Sequence, residues 1–140
     1  ALALVMLVAL GMTIWTVTIV PAAYAEAQQE QQLVNDLSKM HITRVYLEYW
    51  TCYRLLFQSQ EHILCGSPPY PTTVGGDPYW PDALAVRNSP NPPFMFPALD
   101  SHGQVNGEIK EFEQYNQAHN KHFREVLLDG MALFIPVTSG

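Results

Sequence analysis

An uncharged apolar segment from Ala1 to Val20 constrains the fold of this chain more than any other sequence feature. A helix rises about 1.5 Å per residue, so a segment of this length matches the roughly 30 Å hydrocarbon core of a bilayer. Pro21 follows and favours a helix end, because proline has no N–H to donate. The segment therefore predicts a transmembrane helix, with residues 1–25 covering the helix and its exit.

A second interpretation makes the same segment a secretory signal. Ala23, Tyr24 and Ala25 form an A-x-A pattern that suits cleavage before Glu26. The segment is long for a signal and shows no basic residues before it, so we favour the anchor. Both interpretations place residues 26–140 outside the cytoplasm, on the periplasmic or extracellular side, with the lipid bilayer as a partner. Because no initiator Met is present, we expect a fragment of a longer product or a processed chain.

Charge disfavours one large class of partner. The formal net charge is −6, and the seven Lys and Arg residues are scattered without a basic cluster. Nucleic-acid binding needs a cationic surface that displaces counterions, so we expect no nucleic-acid partner. The sequence also contains no Gly-rich phosphate loop, nucleophile elbow or H-E-x-x-H zinc motif, and we expect no cofactor.

Hydrophobic periodicity in residues 26–140 predicts an α/β or α+β fold, a small mixed-sheet sandwich that ends in a β-hairpin. Asp129-Gly130 lies between two apolar runs in residues 122–137 and favours the tight turn of that hairpin. On the second predicted helix, Tyr53, Leu56 and Phe57 are placed on one side. The predicted helices cover residues 26–40, 49–60 and 108–120, and the predicted strands before the hairpin cover residues 41–48, 61–65 and 94–96.

A Pro-rich stretch, residues 66–97, predicts a long irregular loop, and loops of this length are often functional. Aromatic planes and carboxylates suit carbohydrate, and this loop combines both. Extended Pro-rich chain also suits protein contacts, because it is partly ordered before binding. The predicted ligand or partner surface consists of Tyr70, Asp77, Tyr79, Trp80 and Asp82.

The only two cysteines are Cys52 and Cys65. Outside the cytoplasm such a pair favours a disulfide, which would join the second helix to the following strand. Two buried thiols that pack as small hydrophobes are the alternative, and the sequence leaves both open.

No side-chain pattern predicts a catalytic or metal site. His119 and His122 form an H-x-x-H spacing, but it falls at a helix-to-strand junction and not on one helical face. Glu108, Glu111 and Glu113 flank apolar positions of the last predicted helix, which places them on its solvated side. We therefore expect a chain without a catalytic site of its own.

One segment resembles a known family. Residues 41–65, HITRVYLEYWTCYRLLFQSQEHILC, contain the patterns I-T-x-x-Y-x-x-Y-W-T-C and F-x-S-x-E-x-I-x-C. Both resemble the extracytoplasmic C-terminal tail of bacterial multi-pass membrane glycosyltransferases of family 39, which are dolichyl-phosphate-mannose–protein mannosyltransferase-like. Residues 123–136 resemble the closing hairpin of that tail.

The resemblance implies the non-catalytic C-terminal part of a transferase that uses a polyprenyl-phosphate sugar donor. In that family the catalytic acid lies near the N-terminus, so no position of this chain inherits that role. A different class of function remains open: a single-span accessory subunit that docks on a larger membrane protein complex. In either case, other membrane segments or subunits are expected partners.

Overall fold

The computed structural model describes Met6 and residues 24–69 and 79–137 of the chain. Within these residues the fold is mixed α/β, with a five-stranded sheet of order β2-β1-β3-β5-β4. The elements in chain order are α1 (24–39), β1 (Arg44–Tyr46), α2 (Tyr49–Gln58), β2 (Leu64–Gly66), α3 (Trp80–Arg87), β3 (Phe94–Pro97), α4 (Gly107–Ala118), β4 (Phe123–Leu128) and β5 (Met131–Pro136).

The predicted fold class is wrong about the transmembrane helix. None of the helices in the described residues has both the length and the apolar character that crossing a bilayer needs. The predicted segment, residues 1–20, lies outside the described residues apart from Met6. In the described chain the first helix is α1, which buries Leu33, Val34 and Leu37 and leaves most of its Glu and Gln side chains exposed. The apolar face of α1 packs in the core of the domain, while its exposed polar side chains do not suit hydrocarbon.

The first three strands are parallel, and β2 and β3 lie on opposite sides of β1 in the sheet. β1 pairs with β2 through Val45↔Cys65 and with β3 through Tyr46↔Phe94. Right-handed crossovers in opposite directions place the connecting helices on opposite faces of a sheet. Accordingly, Leu55 of α2 belongs to one core cluster and Val86 of α3 to the other.

The last two strands form the predicted hairpin. β4 and β5 are antiparallel, and Leu128 pairs with Met131 across the turn. Asp129 and Gly130 have φ values of 47° and 81°, the left-handed conformation that two-residue hairpin turns require. β5 then pairs with β3, which joins the hairpin to the parallel strands.

Residues 66–97 are not one irregular loop, because they contain α3 and β3. Pro81 lies in the first turn of α3, where a missing N–H costs no helical hydrogen bond. Ala83 of α3 packs so closely on β2 that a Cβ added to Gly66 would lie 3.0 Å from the Ala83 Cα. Residues 70–78 of the predicted loop lie outside the described residues.

Candidate ligand surface

A disulfide joins Cys52 of α2 to Cys65 of β2, with the two Cα atoms 5.7 Å apart. Both cysteines are fully buried in the core cluster beneath α2. Of the two alternatives that the sequence leaves open, the structure has the disulfide. The bond fixes the position of α2 relative to the sheet.

The outer face of α2 carries a row of aromatic side chains. Trp50 and Phe57 are 73% and 84% exposed, and Tyr53 between them is 43% exposed. Tyr49 contacts Trp50 and Tyr53 edge-on, with ring centroids 5.0 Å apart in each pair. The spacing of these residues matches one side of a helix.

The predicted placement of Tyr53, Leu56 and Phe57 on one side of α2 is confirmed, since all three line one depression beside that helix, but the three differ in burial. Leu56 is buried together with Cys52 and Leu55, whereas Tyr53 and Phe57 face outward. Aromatic residues at helical spacing usually indicate a core face, and the sequence offers no local signal that this face points outward.

Tyr53 and Phe57 meet the start of α3 across an open depression, which we call the α2–α3 cleft. Its volume is about 770 Å³, within the range of small-ligand sites. The lining residues are Tyr53, Leu56, Phe57, Gln60, Glu61, Tyr79 and Asp82.

The cleft contains part of the surface that the sequence predicts. Tyr79 and Asp82 line it, while Tyr70 and Asp77 lie outside the described residues. Trp80 is exposed, and the Arg87 guanidinium carbon lies 5.1 Å from the centre of its ring. Glu61 is a lining residue that the sequence does not indicate, because its approach to Asp82 depends on how the turn after α2 folds.

Two carboxyl groups, Glu61 and Asp82, give the cleft a negative charge. Burial, together with the nearby charge of Glu61, raises the pKa of the Asp82 carboxyl above its usual range. Among the described residues that line the cleft there is no Lys or Arg. Gln60 and Glu61 have φ values of 50° and 62°, a left-handed conformation that is uncommon for side-chain-bearing residues. The Glu61 N–H donates to the Leu56 carbonyl at 2.9 Å, which holds this turn against the end of α2.

A smaller cavity of about 240 Å³ lies between α1, α2 and the β4–β5 turn. Three of its charged groups are paired, because Arg54 Nη1 is 2.7 Å from Glu26 and 3.1 Å from Glu30, whereas Oδ2 of Asp129 is buried without a hydrogen-bond partner. Gln29 Nε2 donates to the Asp129 carbonyl at 2.7 Å. These contacts dock α1 onto the rest of the domain. We therefore assign the residues around this cavity a structural role and not a ligand-binding one.

The acidic residues of α4 differ in their surroundings. Glu111 and Glu113 are exposed, as predicted, but Glu108 is half-buried at the start of the helix. Burial, followed by the charges of Glu48 and Glu111, raises the pKa of the Glu108 carboxyl. The Glu48 carboxylate in turn accepts N–H bonds from Trp50 at 3.1 Å and Thr51 at 2.7 Å. Glu48 is thereby committed to capping α2.

The histidines of the H-x-x-H spacing do not converge. The His119 ring stacks on Tyr115 with centroids 3.9 Å apart, and its Nδ1 lies 2.8 Å from the Tyr115 carbonyl oxygen. His122 lies in the segment before β4 and is exposed. Within the described ranges, no group of three or more His, Cys, Asp or Glu is arranged to hold a metal ion.

Comparison with protein-family models, with curated proteins and with solved structures gives no match for this chain. The resemblance to the family 39 glycosyltransferases therefore stays a prediction from the sequence.

Proposed function

We propose that this chain is a non-catalytic extracytoplasmic domain that forms the C-terminal part of a polyprenyl-phosphate-sugar-dependent glycosyltransferase. The Cys52–Cys65 disulfide is the observation that carries the proposal. Structural disulfides persist in oxidising compartments and are rare in the cytosol. Their presence supports a location on the periplasmic or extracellular side.

The same disulfide supports the resemblance. The first family-like pattern, I-T-x-x-Y-x-x-Y-W-T-C, ends at Cys52, and the second, F-x-S-x-E-x-I-x-C, ends at Cys65. The two patterns together correspond to β1, α2 and β2, a unit that the disulfide closes. Because the two patterns specify this unit, we infer that their residues maintain the fold. The transfer chemistry would then be supplied by another part of the protein.

The surroundings of the half-buried acids also favour a non-catalytic role. Glu48 caps α2, and its charge explains part of the perturbation at Glu108. Perturbed carboxyl groups occur in structural networks as well as in active sites. We therefore assign Glu48 and Glu108 a structural role at the starts of α2 and α4.

The intact mass of the native protein that carries this sequence tests the transferase assignment. The 140 residues account for 15.8 kDa. A mass several-fold larger, with the additional sequence rich in membrane-spanning segments, is the expected result. A native mass close to 15.8 kDa would overturn the assignment, because a catalytic membrane domain would have no room.

The thiol state in living cells tests the location separately. Cells are treated with a membrane-permeant maleimide before lysis, and the protein is then denatured with and without reductant. We expect Cys52 and Cys65 to be labelled only after reduction. Labelling of both residues without reductant would contradict the extracytoplasmic location, whatever the native mass.

A separate accessory subunit that docks on a larger complex is the second candidate. The exposed aromatic side chains of α2 favour it, because Trp and Tyr are enriched where proteins bind one another. A native mass near 15.8 kDa together with oxidised cysteines would favour this candidate over the transferase.

A further inference from the structure

We propose that the α2–α3 cleft is a docking site for a basic segment of a partner protein, whose Lys or Arg side chains enter between the aromatic rings and the two carboxyl groups. This proposal is independent of the transferase assignment, since it rests only on the chemistry of the cleft and its rim. By the rim we mean two exposed residues near the lining residues in the chain: Trp80, which follows Tyr79, and Trp50, which lies one helical turn before Tyr53 on α2.

Several exposed aromatic rings lie on α2 and at the start of α3. Trp50, Phe57, Tyr79 and Trp80 are each more than half exposed, and all four belong to α2 or to the start of α3. By contrast, Phe112 of α4 faces the core and the outer face of α4 carries Glu, Gln and Lys. Contiguous apolar surface on one side of a domain, bordered by polar residues, marks an interaction site.

The negative charge of the cleft favours a cationic partner. Glu61 and Asp82 lie close enough for Glu61 to disfavour ionisation of Asp82, and Asp82 is already partly desolvated. A neutral sugar would cover these carboxyl groups without adding an opposite charge, so it would increase the cost of desolvation. A phosphate or another anion would be repelled. A cation lowers this cost, because it favours the ionised form of both groups.

Two arginines lie on these helices, and neither lines the cleft. Arg54, beside Tyr53 on α2, is paired with Glu26 and Glu30 of α1. Arg87 lies over the Trp80 ring at 5.1 Å from its centre. This second contact shows, within the same molecule, the geometry in which a guanidinium binds an aromatic face.

The size of the cleft favours a peptide segment over a small cation. A volume of about 770 Å³ exceeds what one Lys or Arg side chain fills, and Gln60 adds an amide that can bond a peptide backbone. Trp50 extends the aromatic row along α2 beyond the cleft. The net charge of −6 steers a basic partner toward the domain. A peptide segment with several basic residues uses all of these features, whereas a small cation uses only one.

The test is the affinity of the full chain for a fluorescein-labelled (Arg-Gly)4 peptide, measured by fluorescence anisotropy at low and at physiological salt. A (Glu-Gly)4 peptide and two neutral oligosaccharides, chitotetraose and mannotetraose, serve as competitors. We expect binding of the basic peptide that weakens with salt, and no competition from the other three.

Three variants locate the binding. Phe57→Ala and Glu61→Gln are each expected to weaken the peptide by about five- to tenfold, through loss of a ring contact and of a charge contact respectively. Glu113→Gln is the matched control, since it removes an exposed carboxylate from α4, outside the cleft. It should change the affinity by less than about twofold. Circular dichroism and the melting temperature verify that all three variants are folded.

Three outcomes would overturn the proposal. The first is no binding of the basic peptide. The second is an equal loss for Glu61→Gln and Glu113→Gln, which would show attraction to net charge and not to the cleft. The third is displacement of the peptide by a neutral oligosaccharide, which would assign the cleft to carbohydrate.

Discussion

The two faces of the sheet use their aromatic residues in opposite ways. On the face covered by α4, Phe112 is fully buried and contacts Phe94, Phe96, Phe123 and Phe134, with ring centroids 4.9–5.2 Å away. On the face covered by α1 and α2, the core is aliphatic apart from Met side chains and the disulfide. On that side of the molecule a row of aromatic residues lies on the outer surface of α2.

The two helices α4 and α2 are held in place in different ways. α4 is held by ring packing, which is dense and specific in geometry. α2 buries only Cys52, Leu55 and Leu56 among its 10 residues, and a covalent bond supplements this small contact. The outward aromatic residues of α2 add little to the core and are available for contacts with other molecules.

Phe112→Ala should have the largest effect on stability. The variant removes a ring that contacts four others, and large-to-small changes of this kind cost about 3–5 kcal/mol. Urea denaturation gives the free energy of unfolding. Phe57→Ala is the matched variant on the other face, with an expected cost below about 0.5 kcal/mol because its ring is exposed. Similar costs for the two variants would break the contrast between buried and outward aromatic residues.

Removal of the disulfide should have the next largest effect. The bond closes a loop with a sequence separation of 13, for which the chain-entropy argument gives about 2–3 kcal/mol. The variant carries both Cys52→Ala and Cys65→Ala, and its unfolding in guanidinium is compared with that of the wild type. Wild-type protein in reductant should lose a similar amount, while reductant should leave the variant unchanged. A variant as stable as the oxidised wild type would show that α2 needs no covalent tie.

Gly66→Ala tests the contact of β2 with α3. The added Cβ would lie 3.0 Å from the Ala83 Cα, and a backbone atom cannot move aside as a side chain does. We expect destabilisation by about 1–3 kcal/mol, the usual cost of overpacking. Gly107→Ala is the control, since a Cβ there meets nothing within 4 Å. Equal melting temperatures for the two variants would mean that α3 can shift away from β2.

Glu108→Gln should have the smallest effect and should depend on pH. The raised pKa of Glu108 means that the folded protein holds this proton more tightly than the unfolded chain does. Its stabilising contribution is therefore fully present below the unfolded pKa and is lost as the pH rises through the folded pKa. Relative to wild type, Glu108→Gln should gain stability between about pH 4 and pH 7.

The expected gain for Glu108→Gln is below about 1 kcal/mol, because the half-exposed carboxyl is screened by solvent. Glu113→Gln, with an exposed side chain on the same helix, is the reference. A gain that falls with rising pH would contradict the assigned environment of Glu108.

Several elements follow from local sequence signals. The positions of β1, α2, β2 and α4 agree with the predicted segments within a few residues, because apolar periodicity is visible in each. The β4–β5 hairpin follows from Asp129-Gly130, whose backbone preference is local. The helix α3 was missed because it has only 8 residues and buries only Ala83 and Val86. So few apolar contacts leave no periodic pattern among the surrounding prolines.

The candidate site was only partly predictable. Tyr79 and Asp82 were identified from residue type alone, since an aromatic ring beside a carboxyl group suggests a ligand surface. The sequence places Phe57 on the same side of α2 as Tyr53 and Leu56, but a helix with apolar residues on two sides gives no local indication of which side faces the sheet. That choice depends on the disulfide and on the packing of Leu55 and Leu56. The proximity of Glu61 to Asp82 is likewise a property of the tertiary structure.

The strand order has a consequence for self-association. In the described sheet the two edge strands are β2 and β4. β2 has only 3 residues and is flanked by α2 and α3, while β4 exposes Arg124 and Glu125. Short edge strands and charged edge side chains are the means by which natural sheets prevent edge-to-edge polymerisation. Pairing of edge strands is therefore disfavoured both between two copies of this domain and between the domain and a partner.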